Sequence, residues 1–147
     1  ENWDALKAKE KHRDTVTSSM RAVPRPLPAL MRADKVGKRA AKVGFDFATA
    51  RDAAVKIAEE TDEVLTATDA TRAEEVGDLL FAVVNVARKC GVDPEKALSD
   101  ATDKFINRFE AVENAVRADG KTMENLPLSA LDAYWDRVKA AGNGENT

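Results

Sequence analysis

Apolar residues recur along the chain at the helical interval of three to four residues, most clearly in two central segments. The first segment follows Thr49, where Asp52 completes a capping pattern that predicts a helix start, and the second follows Thr71, with Glu74 in the same relation. Their apolar stripes comprise Ala54, Ile57, Ala58, Thr61, Val64 and Leu65 in the first, and Val76, Leu79, Leu80, Val83, Val84 and Ala87 in the second. These stripes predict two amphipathic helices joined by a short turn.

Further helical segments flank this pair. A modest apolar stripe predicts a helix over residues 29–43, ending at Gly44. Asp93-Pro94 supplies a cap and a first-turn proline for a third long helix, which stops at Gly120, and Ser129 with Asp132 predicts a last short helix. No strand pattern and no internal repeat is found. The sequence therefore predicts an all-α fold, a helical bundle built on a central antiparallel helix hairpin.

The two ends of the chain differ from its middle. Residues 1–28 are expected to form an N-terminal arm and a Pro-rich connector, because Pro24, Pro26 and Pro28 cannot lie inside a helix. Residues 29–141 are expected to form one domain, which suits a chain of 147 residues, and residues 142–147 a flexible tail. The chain begins with Glu1, so we expect it to be a piece of a longer protein.

Composition excludes several classes of function. With 23 Lys and Arg against 26 Asp and Glu, the net charge is −3, which argues against a nucleic-acid partner. A single cysteine, Cys90, excludes an internal disulfide and a multi-cysteine zinc site. The sequence contains no apolar run of membrane-spanning length, and because its start is polar we expect no signal peptide. We therefore expect a cytoplasmic protein with no membrane partner.

The candidate chemistry lies in acidic runs on the two central helices. Glu63 lies four residues before the predicted turn begins at Ala67, and Glu75 lies four residues after it ends at Thr71. Glu60 and Asp78 lie seven residues before and after the same turn. In an antiparallel hairpin with axes roughly 8–10 Å apart, these four carboxylates would converge. Clustered carboxylates raise one another's pKa or collect cations, and oxygen ligands suit Mg²⁺ or Mn²⁺. A solvated acidic face is the alternative that spacing leaves open.

One glycine within these runs adds to the expectation. Gly77 lies between Glu75 and Asp78, in the interior of the second predicted helix. Glycine in a helix costs roughly 1 kcal/mol relative to alanine. Its presence therefore predicts the close approach of a neighbouring backbone.

The motifs around the carboxylates resemble a known family. The order Glu60-x-x-Glu63, Glu75-Val-Gly-Asp78 and Asn85-x-Ala-Arg88 is similar to the metal-binding signature of MazG-type nucleoside triphosphate pyrophosphohydrolases, within the all-α NTP pyrophosphatase group. Further segments resemble the same family: Leu27-Pro28-Ala29-Leu30, Val43-Gly44-Phe45-Asp46-Phe47, Lys104-Phe105-x-x-Arg108-Phe109 and Trp135-x-x-x-Lys139. The resemblance extends over about residues 23–140 and is greatest to the C-terminal domain of two-domain bacterial MazG proteins.

The resemblance implies a reaction and its metal. It implies Mg²⁺-dependent hydrolysis of nucleoside triphosphates to the monophosphate and pyrophosphate, in nucleotide-pool housecleaning, with Mn²⁺ as the alternative metal. Glu60, Glu63, Glu75 and Asp78 would be the metal ligands and catalytic residues, and the metal would activate the attacking water. A non-catalytic nucleotide-binding or dimerisation module of a larger protein is the alternative function.

The resemblance also implies partners and substrate contacts. A homodimer would complete a four-helix bundle, as the broad apolar stripes themselves suggest, and an N-terminal domain of the same chain would be missing. Substrate-binding roles fall on Lys56, Lys104, Arg108, Trp135 and Lys139. Alternatives to substrate binding remain open: Lys56 could form an ion pair with Glu60, and Lys104 and Arg108 could be solvated surface charges. Trp135 could instead occupy a core position. Eleven residues separate Glu63 from Glu75, short for this family, which leaves the preferred substrate open.

Overall fold

The computed structural model describes residues 2–13 and 15–144, without the side chains of residues 8–13. This part of the chain is all-α, as predicted, and contains no strand. Its α-helices are α1 (Asn2–Arg13), α2 (Val16–Arg21), α3 (Ala29–Ala41), α4 (Ala50–Thr66), α5 (Arg72–Lys89), α6 (Pro94–Ala118) and α7 (Leu128–Asn143), with a 3-10 turn at Met123–Asn125. The chain divides after Ala97 into two compact units. Residues 145–147 of the predicted flexible tail lie outside the described residues.

Several predicted helix ends are confirmed. Thr49 Oγ1 accepts a hydrogen bond of 3.1 Å from the Asp52 N–H, and Asp93 Oδ1 accepts one of 3.0 Å from the Glu95 N–H. Glycine ends three helices because the chain adopts positive φ there: Gly44 (84°), Gly91 (70°) and Gly120 (69°). These helix caps and helix ends could be predicted from the sequence because they depend on contacts within one helical turn.

Three local predictions of caps and connectors were wrong. Thr71 precedes α5 as predicted, but its side chain makes no capping hydrogen bond. Helix α2 (Val16–Arg21) lies within the predicted connector, and Thr15 Oγ1 caps it by accepting a 3.0 Å hydrogen bond from the Ser18 N–H. The helix ends before Pro24, so the prolines limit it without preventing it. Helix α7 begins at Leu128 after Pro127, so Ser129 lies inside the helix and does not cap it.

The first unit is organised around the hairpin of α4 and α5. Helix α3 also packs on α5, and α2 packs on α3. The fully buried residue of α4 is Ala53, whereas Ala54 of the predicted stripe is exposed. Of the predicted stripe, Ile57, Thr61 and Val64 are partly buried, whereas Ala58 and Leu65 are exposed like Ala54. The buried line runs through Ala53, Ile57 and Glu60, which turns an acidic side chain toward α5.

Helix α5 presents apolar residues on two sides. Ala82 and Val84 are buried within the first unit. Val76, Leu80 and Val83 share another face at i, i+4 and i+7 and are 38%, 51% and 45% exposed. We call these three residues the exposed hairpin face. None of the helices described has both the length and the apolar character needed to cross a membrane.

The second unit has its own hydrophobic cluster. Val112 and Val116 of α6 pack with Tyr134 of α7, and partly buried side chains surround them: Ala115, Met123, Leu126, Leu131, Trp135 and Val138. The Tyr134 hydroxyl donates a 2.5 Å hydrogen bond to Asp119 Oδ2, and this bond is the main reason why the pKa of Tyr134 is raised. The bond ties α7 to the residue following α6.

This cluster makes a prediction about stability. Val116 is 1% exposed, so Val116→Ala leaves a cavity in the second unit. We expect the free energy of unfolding to fall by about 2 kcal/mol, measured by urea denaturation. Val43→Ala, at a 61% exposed position, is the matched control and should change it by less than about 0.5 kcal/mol. Equal losses in both variants would contradict this packing.

Candidate metal centre and its surroundings

Three of the predicted carboxylates meet where α4 faces α5. Glu60, Glu75 and Asp78 each offer an oxygen, and these oxygens lie within 4.8 Å of one another. The Glu60 side chain is 16% exposed, Glu75 is partly buried and Asp78 is exposed. The hairpin produces this arrangement because Glu60 lies on the packed side of α4, opposite the first turns of α5. We call these three residues the carboxylate triad.

Glu63, the fourth predicted carboxylate, is exposed and lies outside the triad. Its charge nevertheless acts on the site. The pKa of Glu75 is raised, first by partial burial and then by repulsion from Glu63, Asp78, Glu60 and Glu74. The site therefore favours either a proton or a cation at this position.

The triad fits a hard divalent cation. Carboxylate oxygens are the ligands that Mg²⁺ takes from proteins, usually few in number, with water and phosphate oxygens completing the octahedron. Glu60 and Glu75 are partly buried and Asp78 is exposed, so the three carboxylates leave one side of the site open. The repulsion that raises the pKa of Glu75 is the energy that a bound cation would relieve.

Lys56 forms the ion pair that its spacing allowed. Its Nζ lies 3.3 Å from Glu59 Oε2 and 3.6 Å from Glu60 Oε1. The hydrogen bond to Glu59 is the largest cause of a raised pKa at Lys56. Lys56 thus places a positive charge beside the triad while its side chain remains 49% exposed.

The expectation for Gly77 was wrong, and the close contact lies at another glycine, where side chains and not a backbone approach. A Cβ added at Gly77 would meet no atom within 4 Å. A Cβ added at Gly37 of α3 would lie 3.0 Å from Nε of Arg88 and 3.4 Å from Oδ1 of Asn85. Gly37 therefore lets α3 approach α5 closely at Arg88.

Sequence reasoning missed the ion-pair cluster at the end of α5. Arg88 donates to both carboxylate oxygens of Asp46, at 2.6 and 3.1 Å, and Lys89 Nζ lies 3.2 Å from Asp46 Oδ2. The Arg88 side chain is 8% exposed. Arg88, foremost through its hydrogen bonds, holds the pKa of Asp46 well below its ordinary value. The cluster fixes the segment between α3 and α4 against α5. The sequence signal that could have indicated it is that Asp46 and Arg88 each lie in a motif resembling the MazG family.

This cluster should give stability a distinct pH dependence. The folded pKa of Asp46 is lowered, so its contribution is complete above the unfolded pKa of about 3.9 and is lost as the pH falls toward the folded pKa. We expect Asp46→Asn to be less stable than the unmodified chain at pH 7. The difference should begin to shrink below about pH 4, measured by urea denaturation at several pH values. A difference that stays constant down to pH 3 would contradict an ionic role.

The second unit brings two of the predicted substrate residues together. A groove of about 670 Å³ is lined by Lys104 and Arg108 of α6 and by Val138 of α7, together with Asp100, Asp103, Asn107, Ala111, Ala141 and Gly142. Lys139 is exposed and is not among the lining residues. Trp135 is partly buried on the hydrophobic cluster, and its ring centroid lies 5.4 Å from that of Phe105. Of the two interpretations of Trp135, substrate binding and a core position, the structure shows the contacts of a core position.

Comparison with known families identifies the hairpin segment. Residues 49–113 match the MazG nucleotide pyrophosphohydrolase domain. The chain carries a MazG domain. The MazG match contains the whole carboxylate triad, together with Lys56, Lys104 and Arg108.

Relatives of the MazG chain extend the similarity over most of its length. It is 42% identical over 143 residues to the nucleoside triphosphate pyrophosphohydrolase of Escherichia coli K12, covering 93% of this chain and 54% of that protein. It is 40% identical over 138 residues to the nucleoside triphosphate pyrophosphohydrolase/pyrophosphatase MazG of Thermotoga maritima, with the same coverages of 93% and 54%. The uncharacterized protein YabN of Bacillus subtilis is 38% identical over 143 residues, 94% of this chain and 29% of YabN. The chain thus spans about half the length of the first two relatives.

Proposed function

We propose that this MazG chain hydrolyses nucleoside triphosphates to nucleoside monophosphate and pyrophosphate with a divalent metal, Mg²⁺ or alternatively Mn²⁺. The carboxylate triad carries the proposal, because its three oxygens lie within 4.8 Å of one another inside the matched domain. The E. coli and T. maritima relatives are both named nucleoside triphosphate pyrophosphohydrolases, which supports the reaction. Glu63 is the fourth acid that we assign to the site, since its charge already acts on Glu75.

The proposed chemistry divides between the metal and the chain. A bound divalent ion supplies charge neutralisation for the phosphates and activation of the attacking water. Glu60, Glu75 and Asp78 hold that ion, and Lys56 beside Glu60 offers a charge to a phosphate oxygen. Water adds to the α-phosphorus, the bond to the α–β bridging oxygen breaks, and pyrophosphate leaves. The proton of the water passes to an acid outside the triad, for which Glu59 and Glu63 are the candidates.

The substrate contacts in the second unit follow from its groove and its aromatic pair. We assign Lys104 and Arg108 to the phosphates, because both line one groove and Arg binds phosphate through two parallel donors. We assign Trp135 to the base and Lys139 to a phosphate. Phe105 packs against Trp135 and would hold the indole in place.

The exposed hairpin face supports a homodimer. Val76, Leu80 and Val83 form an apolar face of α5 that the described residues do not cover. A second copy of the same hairpin would cover it and complete a four-helix bundle. We therefore propose that two chains assemble through this face.

Product analysis tests the proposed reaction. Each common NTP and dNTP is incubated with the chain in Mg²⁺ or in excess chelator, and the nucleotide products are separated by chromatography. Nucleoside monophosphate with pyrophosphate, formed only with Mg²⁺, is the expected result. Nucleoside diphosphate with phosphate would overturn the assigned bond cleavage. Metal-dependent binding without turnover would indicate the alternative, a non-catalytic nucleotide-binding module.

The assignment of Arg108 predicts a change in substrate binding. Arg108→Met removes a fork-shaped donor from the groove while keeping an apolar stem. We expect KM for the triphosphate to rise about 30-fold with a small change in kcat, because a charged hydrogen bond is worth about 2 kcal/mol. Steady-state kinetics measure this. Arg117→Met, at an exposed position of the same helix, is the control and should leave KM within about twofold. Unchanged KM in Arg108→Met would contradict the assignment.

A further inference from the structure

Positive charge is concentrated on one helix of an acidic chain. The net charge is −3, yet residues 32–42 contain five cations and a single carboxylate, Asp34. The cations are Arg32, Lys35, Lys38, Arg39 and Lys42. A local excess of one charge sign creates a potential that attracts the opposite sign over roughly a Debye length, about 8–10 Å. Helix α3 and the residue that follows it therefore present an excess of positive charge that attracts anions.

These cations line two adjoining hollows. One, of about 340 Å³, is lined by Lys35, Lys38 and Arg88, together with Met31, Asp34, Gly91, Val92 and Asp93. The other, of about 210 Å³, is lined by Lys35, Lys38, Arg39 and Lys42. Because Lys35 and Lys38 line both, the hollows form one continuous surface. We call it the basic groove.

Three of the five cations that line the basic groove have no acidic partner among the described residues. Of the other two, Lys38 pairs with Asp34 Oδ2 at 2.8 Å and Arg88 pairs with Asp46. Lys35, Arg39 and Lys42 form no ion pair with any residue that the structure describes. The groove thus has unpaired positive charge on one face of α3.

The groove lies away from the carboxylate triad. Arg88, on the wall of the groove, lies ten residues after Asp78 on α5. At about 1.5 Å per residue, the two positions are about 15 Å apart along the helix axis. One triphosphate held at the triad would not reach the groove of the same chain. A ligand in the groove would therefore be a second, separate one.

We propose that the basic groove binds an oligophosphate anion, either free or as the phosphate chain of a nucleotide. Lys35, Lys38 or Arg39, and Lys42 follow one another at i, i+3 or i+4, and i+7, so their charges recur about every 5 Å along about 10 Å of helix. A chain of two or three phosphates presents negative charges over a comparable length. Lysine binds phosphate as a compact charge and arginine through its fork. The site is independent of the proposed hydrolysis.

Calorimetric titration of the full chain in EDTA tests the proposal, because the chelator disables a metal-dependent site. Inorganic tripolyphosphate is the probe. We expect measurable binding that weakens with added salt and becomes at least about tenfold weaker in Lys35→Gln/Lys42→Gln. Arg117→Gln/Lys121→Gln removes the same charge from exposed positions beside Glu113 and Glu124 and should bind within about twofold of the unmodified chain. No binding by the unmodified chain, or equal loss in both double variants, would overturn the proposal.

Two further arms separate this site from its alternatives. Asp78→Asn should retain tripolyphosphate binding in EDTA, and loss of binding there would assign the anion to the metal centre instead. Equal affinity for tripolyphosphate and for a nucleoside triphosphate would support recognition of the phosphate chain, whether free or part of a nucleotide. Tighter binding of the nucleoside triphosphate would support a nucleotide ligand. Equal affinity for monophosphate, or binding only of an oligonucleotide, would overturn an oligophosphate site.

Discussion

Asp78→Asn is expected to lower kcat/KM for nucleoside triphosphate hydrolysis about a thousandfold, equivalent to about 4 kcal/mol of transition-state stabilisation. Asp78 supplies one of three oxygens that lie within 4.8 Å of one another. The amide keeps the size of the side chain but removes the negative charge, so the site holds a divalent cation less tightly. Initial rates of monophosphate release over a range of Mg²⁺ concentrations measure the effect, and higher Mg²⁺ should restore part of the activity.

The control for this variant lies on the neighbouring helix. Asp62 is exposed on α4 and does not belong to the carboxylate triad. Asp62→Asn therefore removes the same charge from the acidic run of α4 and should stay within about threefold of the unmodified rate. Full activity in Asp78→Asn, or equal losses in both variants, would contradict the assignment of the triad.

Leu80→Glu is expected to dissociate the proposed dimer. Leu80 is 51% exposed in the centre of the exposed hairpin face, between Val76 and Val83. In a two-fold symmetric interface the substitution acts twice, and each copy loses the burial of a leucine, worth about 1.5–3 kcal/mol, and buries a charge. We therefore expect the dimer dissociation constant to rise more than about 100-fold. Sedimentation equilibrium over a range of concentrations measures it.

A second exposed leucine provides the matched control. Leu128 is 71% exposed at the first residue of α7, and Leu128→Glu should leave the association state unchanged. A monomeric unmodified chain, or a Leu80→Glu chain that dissociates no more readily than Leu128→Glu, would contradict assembly through this face. Activity measured alongside sedimentation shows whether turnover requires two chains.

Local patterns in the sequence predicted most of the helices. The cap at Thr49 and the stops at Gly44, Gly91 and Gly120 depend on neighbouring residues, so they can be inferred from the sequence. The face that α4 buries could not be fixed as securely. Adjacent residues differ by about 100° around a helix, so a weakly amphipathic, alanine-rich segment allows either Ala53 or Ala54 to face the core. In the folded chain Ala53 is the residue that is buried.

Counting from the predicted turn gave the heights of the carboxylates, and it anticipated the meeting of Glu60, Glu75 and Asp78. Heights do not fix the rotation of each helix, which is why Glu63 lies outside the triad. The Asp46–Arg88 cluster was beyond such counting because its partners are 42 residues apart. Gly37 and Gly77 likewise look alike in the sequence, and only the position of α3 against α5 distinguishes them.

Mn²⁺ titration followed by electron paramagnetic resonance tests the central claim most directly, namely that Glu60, Glu75 and Asp78 hold a divalent cation. Free Mn²⁺ is counted from its signal with the unmodified chain, Glu60→Gln and Asp62→Asn. The account predicts that the unmodified chain and Asp62→Asn bind Mn²⁺ equally, that Mg²⁺ displaces it, and that Glu60→Gln binds at least about tenfold more weakly. Equal Mn²⁺ binding by all three chains would contradict it.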